Sequence, residues 1–171
     1  MTYKNNSLIL VGLTSLLLSG CGFKPMYGTQ SRLNHSPISY QMSQIAIDII
    51  PDREGQMLRN ALIDRLYTSG YPSSPVATLK ISKIEEVRNE LDLTKSSDAT
   101  RAQLRVTSTM TLTDKSGNVI LSRPIKTITS FNILGSEFAS RVTEESARQS
   151  AIQDLARQIE LNLSLYYSDK K

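Results

Sequence analysis

From Arg101 to Thr113 the chain alternates between apolar and polar positions, with Ser108 a polar residue in an apolar place. Ala102, Leu104, Val106, Ser108, Met110 and Leu112 fall on one side; Arg101, Gln103, Arg105, Thr107, Thr109, Thr111 and Thr113 fall on the other. Such a period of two predicts a strand with one face in a core and one in water. Asp114-Lys115-Ser116-Gly117-Asn118 supplies hairpin-turn residues, and Val119 to Asn132 resumes as a partner strand. Pro124 within it predicts an edge position or a bulge, because proline has no N–H for a ladder. Upstream, Ile45-Ala46-Ile47-Asp48-Ile49-Ile50 is a β-branched run ending at Pro51, which reads as the first strand. Val76 to Arg88 carries Ala77, Leu79 and Ile81 on alternate positions and then slips phase to Ile84, so a further strand with a bulge is expected there.

Two segments carry the helical period instead. Between Arg53 and about Ser69, Leu58, Leu62 and Leu66 share one face with Ala61 beside them, while Gly70 and Pro72 stop the run. Asp52 is placed to cap this helix and Glu54 to meet the positive end of its dipole. A last helix begins between Ser136 and Thr143 and runs to about Tyr167. It shows Ala151, Ile152, Leu155, Ile159, Leu163 and Tyr166 on one face, with Arg157, Glu160 and Ser164 opposite. Glu144 and Arg148 form an i,i+4 pair on it. The order β-α-β-β-β-α predicts an α+β sandwich over residues 45–168, with two helices packed on one face of a mostly antiparallel four-stranded sheet and the other face open.

The first twenty residues follow a different rule. Lys4 precedes the apolar run Leu8 to Leu18, which ends in the small pair Ser19-Gly20. A helix needs roughly 20 apolar residues to span a bilayer, and this run has about half that, so a cleaved export signal over 1–20 is the better reading. Cys21 is the single cysteine of the chain. It has no intramolecular partner, and an unpaired thiol is a liability in an oxidising compartment. Leu18-Ser19-Gly20-Cys21 resembles the lipobox of bacterial lipoproteins, which implies lipid on Cys21; Gly22 after it, rather than Asp, implies sorting to the outer membrane. One acyl chain anchors only marginally, whereas two or three hold durably. Residues 21–44 then read as a lipidated N-terminus and polar tether, since Thr29 to Gln44 shows no sustained apolar period.

Composition bears mainly on what the chain does not do. Its 171 residues suit one domain, and a net charge of +4, or +3 without Lys4, is too mild to imply nucleic acid. The lone histidine, His35, sits in the tether with no acid or cysteine beside it, so neither a catalytic triad nor a zinc site is expected. No glycine-rich loop follows a strand to cradle phosphate, and no cofactor is implied. Asp52 and Glu54 suit a helix start better than a catalytic carboxylate pair. These residues favour a non-enzyme.

Two stretches carry a family resemblance. CGFKPMYG (Cys21 to Gly28) and IPDREGQMLRNALIDRL (Ile50 to Leu66) resemble the LptE group, the lipopolysaccharide-assembly lipoproteins also called rare lipoprotein B. The final segment SARQSAIQDLARQIELNLSLYY (Ser146 to Tyr167) fits that group's layout. The resemblance implies an outer-membrane subunit of the lipopolysaccharide translocon that plugs the LptD β-barrel, assists its assembly and touches lipopolysaccharide. Because that glycolipid is anionic, cations clustered on an open surface are the candidate contacts. Arg101 and Arg105 share one strand face, and Arg88, Lys95 and Lys126 join them if the strands pair in sequence order. Tyr67 and Leu161, off their helices' core stripes, and Arg53 and Arg59 are candidate partner contacts. Two other readings stand beside this one: a periplasm-facing structural or pilot lipoprotein bound to another envelope protein, and a hydrolase built on Asp52 and Glu54.

Overall fold

The computed structural model describes residues 37–67, 70–93 and 99–169. The expectations for the signal segment, Cys21, His35 and Lys95 lie outside these residues. Three helices and five strands follow in the order α1 (Pro37–Ser43), β1 (Ile45–Ile47), α2 (Asp52–Leu66), β2 (Ala77–Ile81), β3 (Glu85–Leu93), β4 (Ala99–Asp114), β5 (Val119–Asn132) and α3 (Glu137–Asp169). The α+β class is as expected; one strand and one helix are additional.

The long alternating segment, β4, is the centre of the sheet. Along one side it pairs antiparallel with β5, from Arg101↔Asn132 to Thr113↔Val119. Along the other it pairs first with β3 and then, further on, with β2. The single strand expected from Val76 to Arg88 is therefore two strands laid end to end. Ile81 opposes Met110 and Glu85 opposes Thr107, so Ser82, Lys83 and Ile84 face only Ser108 and Thr109. That is one residue too many, a β-bulge at the predicted phase slip. Ser82 stitches it: its N–H donates to the Thr109 carbonyl at 2.9 Å, its Oγ accepts from the Thr109 N–H at 3.0 Å, and its carbonyl accepts from Ser108 Oγ at 2.8 Å. β1 runs parallel to β2, so the sheet is mixed.

Pro124 stands on β5 with its register to Thr109 uninterrupted, so the edge alternative holds and no bulge is needed there. The Ile133 N–H donates to the Thr100 carbonyl at 3.0 Å. Since antiparallel bonding alternates, even-numbered β4 residues then bond to β5, and odd-numbered β5 residues bond back. Pro124 points its missing N–H outward, where no ladder bond is lost.

The buried faces of α2 and α3 meet one face of the sheet in a single core. Leu58 and Leu62 from α2, Leu104, Met110 and Leu112 from β4, and Leu155, Ile159 and Leu163 from α3 are all sealed from solvent. α3 starts at Glu137, within the expected window, and runs back along β5: Thr143 Oγ1 donates to the Asn132 carbonyl and Gln158 Nε2 to the Lys126 carbonyl, each at 2.9 Å. Among the described residues no helix is long and apolar enough to cross a membrane.

Three local expectations change. Pro37–Ser43, read as the end of a polar tether, forms α1, because Met42 and Ile38 have an apolar surface to join. Asp52 does not cap α2: the cap position is Pro51, with no side-chain bond, and Asp52 is the first helical residue, at φ 64°, paired with Lys83 Nζ at 3.0 Å. Tyr67 is no surface contact. It is buried, with its hydroxyl donating to the Ile45 carbonyl at 2.7 Å and accepting from the Ile47 N–H at 3.2 Å, which pins β1. Tyr67→Phe is expected to destabilise the domain by about 1–2 kcal/mol, since it leaves two buried backbone groups unpaired; urea unfolding measures this. Burial raises the Tyr67 pKa, only partly countered by the Ile47 bond. The folded state thus prefers the neutral phenol. That contribution is whole below the unfolded value near 10 and is lost as pH rises through the folded one, so wild type should lose more stability than Tyr67→Phe in that window.

Candidate functional site on the uncovered sheet face

Residues directly opposite one another in a ladder share a face, so the register assigns every side chain of β3, β4 and β5 to the helix side or the open side. On the open side the rows are Leu91–Arg101–Asn132, Val87–Arg105–Ile128 and Glu85–Thr107–Lys126. Arg101, Arg105 and Lys126 therefore do lie on one face, with Lys126 diagonal to Arg105, a spacing of about 7–8 Å. Lys80, opposite Thr111, extends the same face and was not singled out from the sequence, although its place between Leu79 and Ile81 marks it as outward. Among the described residues none of these four cations forms an ion pair.

Arg105 is the best seated of them. Its row neighbours Val87 and Ile128 are 50% and 42% exposed, and among the described residues its Nε is shut from water without a hydrogen-bond partner. A guanidinium set between two exposed apolar side chains, with donors to spare, is suited to a ligand that carries both anionic and apolar groups.

Arg88 belongs to the other side. It opposes Leu104, so it points toward the helices, because the bulge moved β3 on by one residue. There its guanidinium lies 5.7 Å from the centroid of the Phe131 ring and pairs with Glu144 at 3.3 Å and Glu90 at 3.2 Å. It is no neighbour of Arg101 and Arg105, and the grouping expected from sequence order is corrected to that extent.

The helix-side cluster is a self-compensated network lining a cleft of about 910 Å³. Arg148 of α3 bonds Glu86 of β3 at 2.9 Å, Glu145 at 2.6 Å and Glu144 at 3.1 Å. Arg53 of α2 reaches Glu145 at 3.3 Å. Burial works against the charge on Arg148, but its bonds to Glu86 and Glu145 outweigh that and hold its pKa above the ordinary arginine value. With each cation already matched, the cleft ties α2, β3 and α3 together rather than offering charge to a ligand. The Glu144–Arg148 spacing signalled part of it; Glu86, distant in sequence, could not be seen.

Of the remaining expectations, Arg59 lies over the Tyr71 ring at 5.9 Å, and Leu161 is exposed with Leu165 one turn on. Phe138 and Val142, also one turn apart on α3, add an exposed apolar pair that sequence reasoning passed over. Among the described residues no group of His, Cys, Asp and Glu is arranged to hold a metal ion.

Among curated proteins none matches the chain. Solved structures do. A chain from Caulobacter crescentus CB15 described as a lipoprotein is similar at TM-score 0.61 and 22% identity, covering 78% of this chain and 97% of its own. A minor lipoprotein from Acinetobacter baumannii is similar at TM-score 0.59 and 24% identity, over 71% and 90%. The rare lipoprotein B of Shewanella oneidensis is similar at TM-score 0.60 and 10% identity, over 73% and 96%. At such identities the likeness concerns the fold. The family model LptE, described as lipopolysaccharide-assembly, matches residues 42–163, which span every strand, all of α2 and most of α3. This chain belongs to the LptE family of lipopolysaccharide assembly.

Proposed function

We propose that this protein is a lipid-anchored outer-membrane subunit of the lipopolysaccharide translocon, seated in the LptD β-barrel, where it assists assembly of the barrel and presents its uncovered sheet face to the glycolipid. The observation that carries the reading is the open face itself: among the described residues Arg101, Arg105 and Lys126 share it without an ion pair, beside Val87 and Ile128. Anionic headgroup and apolar chain both find a counterpart there, and a Thr-rich, cationic wall also suits the polar lumen of a barrel. The reaction of such a subunit is transfer and assembly, not covalent chemistry.

The partner is tested by a mild-detergent pull-down from outer membranes through a C-terminal tag. LptD recovered in near-equal amount at high salt supports the plug; a different envelope protein in its place turns the function to a structural or pilot lipoprotein. The surface is tested by the triple variant Arg101→Ala/Arg105→Ala/Lys126→Ala. It should bind purified lipopolysaccharide at least about tenfold more weakly, roughly 1.4 kcal/mol shared among three charged contacts, while stability changes by less than about 1 kcal/mol. Raising ionic strength should weaken wild type more than the variant. Undiminished binding would remove this face from the proposal.

The anchor is assigned to Cys21 on the strength of the lipobox resemblance. Cys21→Ser is expected to release the protein into the soluble periplasmic fraction with the mass of an unlipidated chain; unchanged fractionation and mass would sink the anchor.

A further inference from the structure

The sheet has two long borders, and they are finished differently. On β5 the backbone groups that point away from β4 belong to even-numbered residues, where Pro124 has no N–H to offer and the Lys126 carbonyl is taken by Gln158. That border is closed to a further strand. On β3 the same alternation runs the other way: odd-numbered β4 residues bond to Glu85, Val87, Asn89 and Leu91, which leaves the N–H and C=O groups of Glu86, Arg88 and Glu90 pointing outward. Among the described residues β3 has β4 as its one strand partner and contains no proline. All seven residues from Glu85 to Leu91 are exposed. β1 would run on beside β3 if it continued, but it leaves the sheet after Ile47 to enter α2.

We propose that the β3 border takes an extended segment of an envelope partner protein as an added strand. Its chemistry follows from β3. On the helix side an incoming strand meets Glu86, Arg88 and Glu90; on the open side it meets Val87 and Leu91, which are 50% and 37% exposed. The helix-side cluster carries Glu86, Glu90, Glu144 and Glu145 against Arg53, Arg88 and Arg148, one carboxylate in excess, which calls for a basic residue on the helix side of an incoming strand, alternating with apolar ones opposite Val87 and Leu91. A second copy is a poor occupant. Two β3 strands paired antiparallel about Arg88 would set arginine against arginine and Glu86 against Glu90, and like charges directly opposite destabilise a ladder. The inference rests on the proposed function only in assuming an envelope partner.

Two measurements on the full lipidated chain decide it. In intact cells, a benzophenone amino acid replacing Asn89 should cross-link to one partner peptide with alternating basic and apolar residues. In detergent, the amides of residues 85–91 should exchange hydrogen at least tenfold more slowly in the co-purified assembly than in the protein alone. Glu90→Pro removes one outward N–H while sparing the β4 ladder, and should abolish the cross-link; Glu90→Thr, which keeps the N–H, should retain it. Equal exchange in both forms, a cross-link indifferent to Glu90→Pro, or one to a second copy or to this chain's own N-terminal residues would overturn the proposal. If LptD co-purifies while the border shows none of these effects, the border is wrong and the plug stands. If LptD is absent but Asn89 still captures a basic strand from another protein, the reverse holds.

Discussion

Arg148→Met is expected to destabilise the domain by about 2–3 kcal/mol at neutral pH, measured by urea unfolding. The Arg148 side chain is only 20% exposed and is the common partner of Glu86, Glu144 and Glu145, whose carboxylate side chains are 24–32% exposed. Methionine preserves the apolar stem and removes the charge. Glu86 is then left without a cation among the described residues, while Glu144 and Glu145 keep only Arg88 and Arg53, each at 3.3 Å; breaking a buried pair by deleting one partner costs about 3–5 kcal/mol, and the residual exposure here argues for less. Salt screens the repulsion left among the carboxylates, so the deficit against wild type should shrink as ionic strength rises; a deficit indifferent to salt would mean that lost packing, not charge, is responsible. Because Glu86 is on β3 and Glu144 and Glu145 are on α3, the variant should also speed hydrogen exchange along β3 before it affects β2.

Gly55→Ala is expected to cost about 2 kcal/mol, against the usual rule that alanine improves a helix. A Cβ at this position would stand 2.7 Å from Ile50 Cγ2 and 2.9 Å from both the carbonyl carbon and oxygen of Ile50. The first turn of α2 folds directly onto the backbone that leads into it, and Ile50 is itself sealed in the core. A side-chain tip could swing away, but a backbone carbonyl can yield only if the helix entry shifts. Overpacking of this kind costs about 1–3 kcal/mol, occasionally more, and the helix preference of alanine over glycine returns up to about 1 kcal/mol. Thermal unfolding would show the loss; a melting temperature at or above wild type would mean that the Ile50–Asp52 entry moves freely. The position matters for function as well, since the same entry carries Arg53 to Glu145 and Asp52 to Lys83.

Much of this molecule was legible in order. The apolar alternation of Ala102 to Leu112 and the helical stripe from Ala151 to Leu163 are local periodicities, and each appears where the pattern put it, because burial of one face is a property of the segment alone. Pro124 announced an edge or a bulge for an equally local reason, its missing N–H, and the unbroken ladder with Thr109 leaves the edge. The slip at Ile84 announced a bulge and already carried Arg88 to the core-side phase, since Ile84, Glu86 and Arg88 alternate in step. Grouping Arg88 with Arg101 by strand order overlooked this: in an element of period two, one extra residue turns every later side chain to the opposite face.

Other features were settled by contacts between distant segments. Tyr67 looked like a surface residue because it falls off the stripe of Leu58, Leu62 and Leu66; only the approach of β1 provides the two backbone groups its hydroxyl bonds. α1 has too weak a period to be read, and it forms because the core accepts Met42. Arg148 needs Glu86, brought across by the folding of α3 over the sheet. Periodicity and turn chemistry act within a few residues, so the order of residues along the chain suffices for the class of fold, its long elements and the sheet face bearing Arg101 and Arg105. Which cations are free and which are paired, and which border of the sheet is closed, depend on what the tertiary structure places beside them.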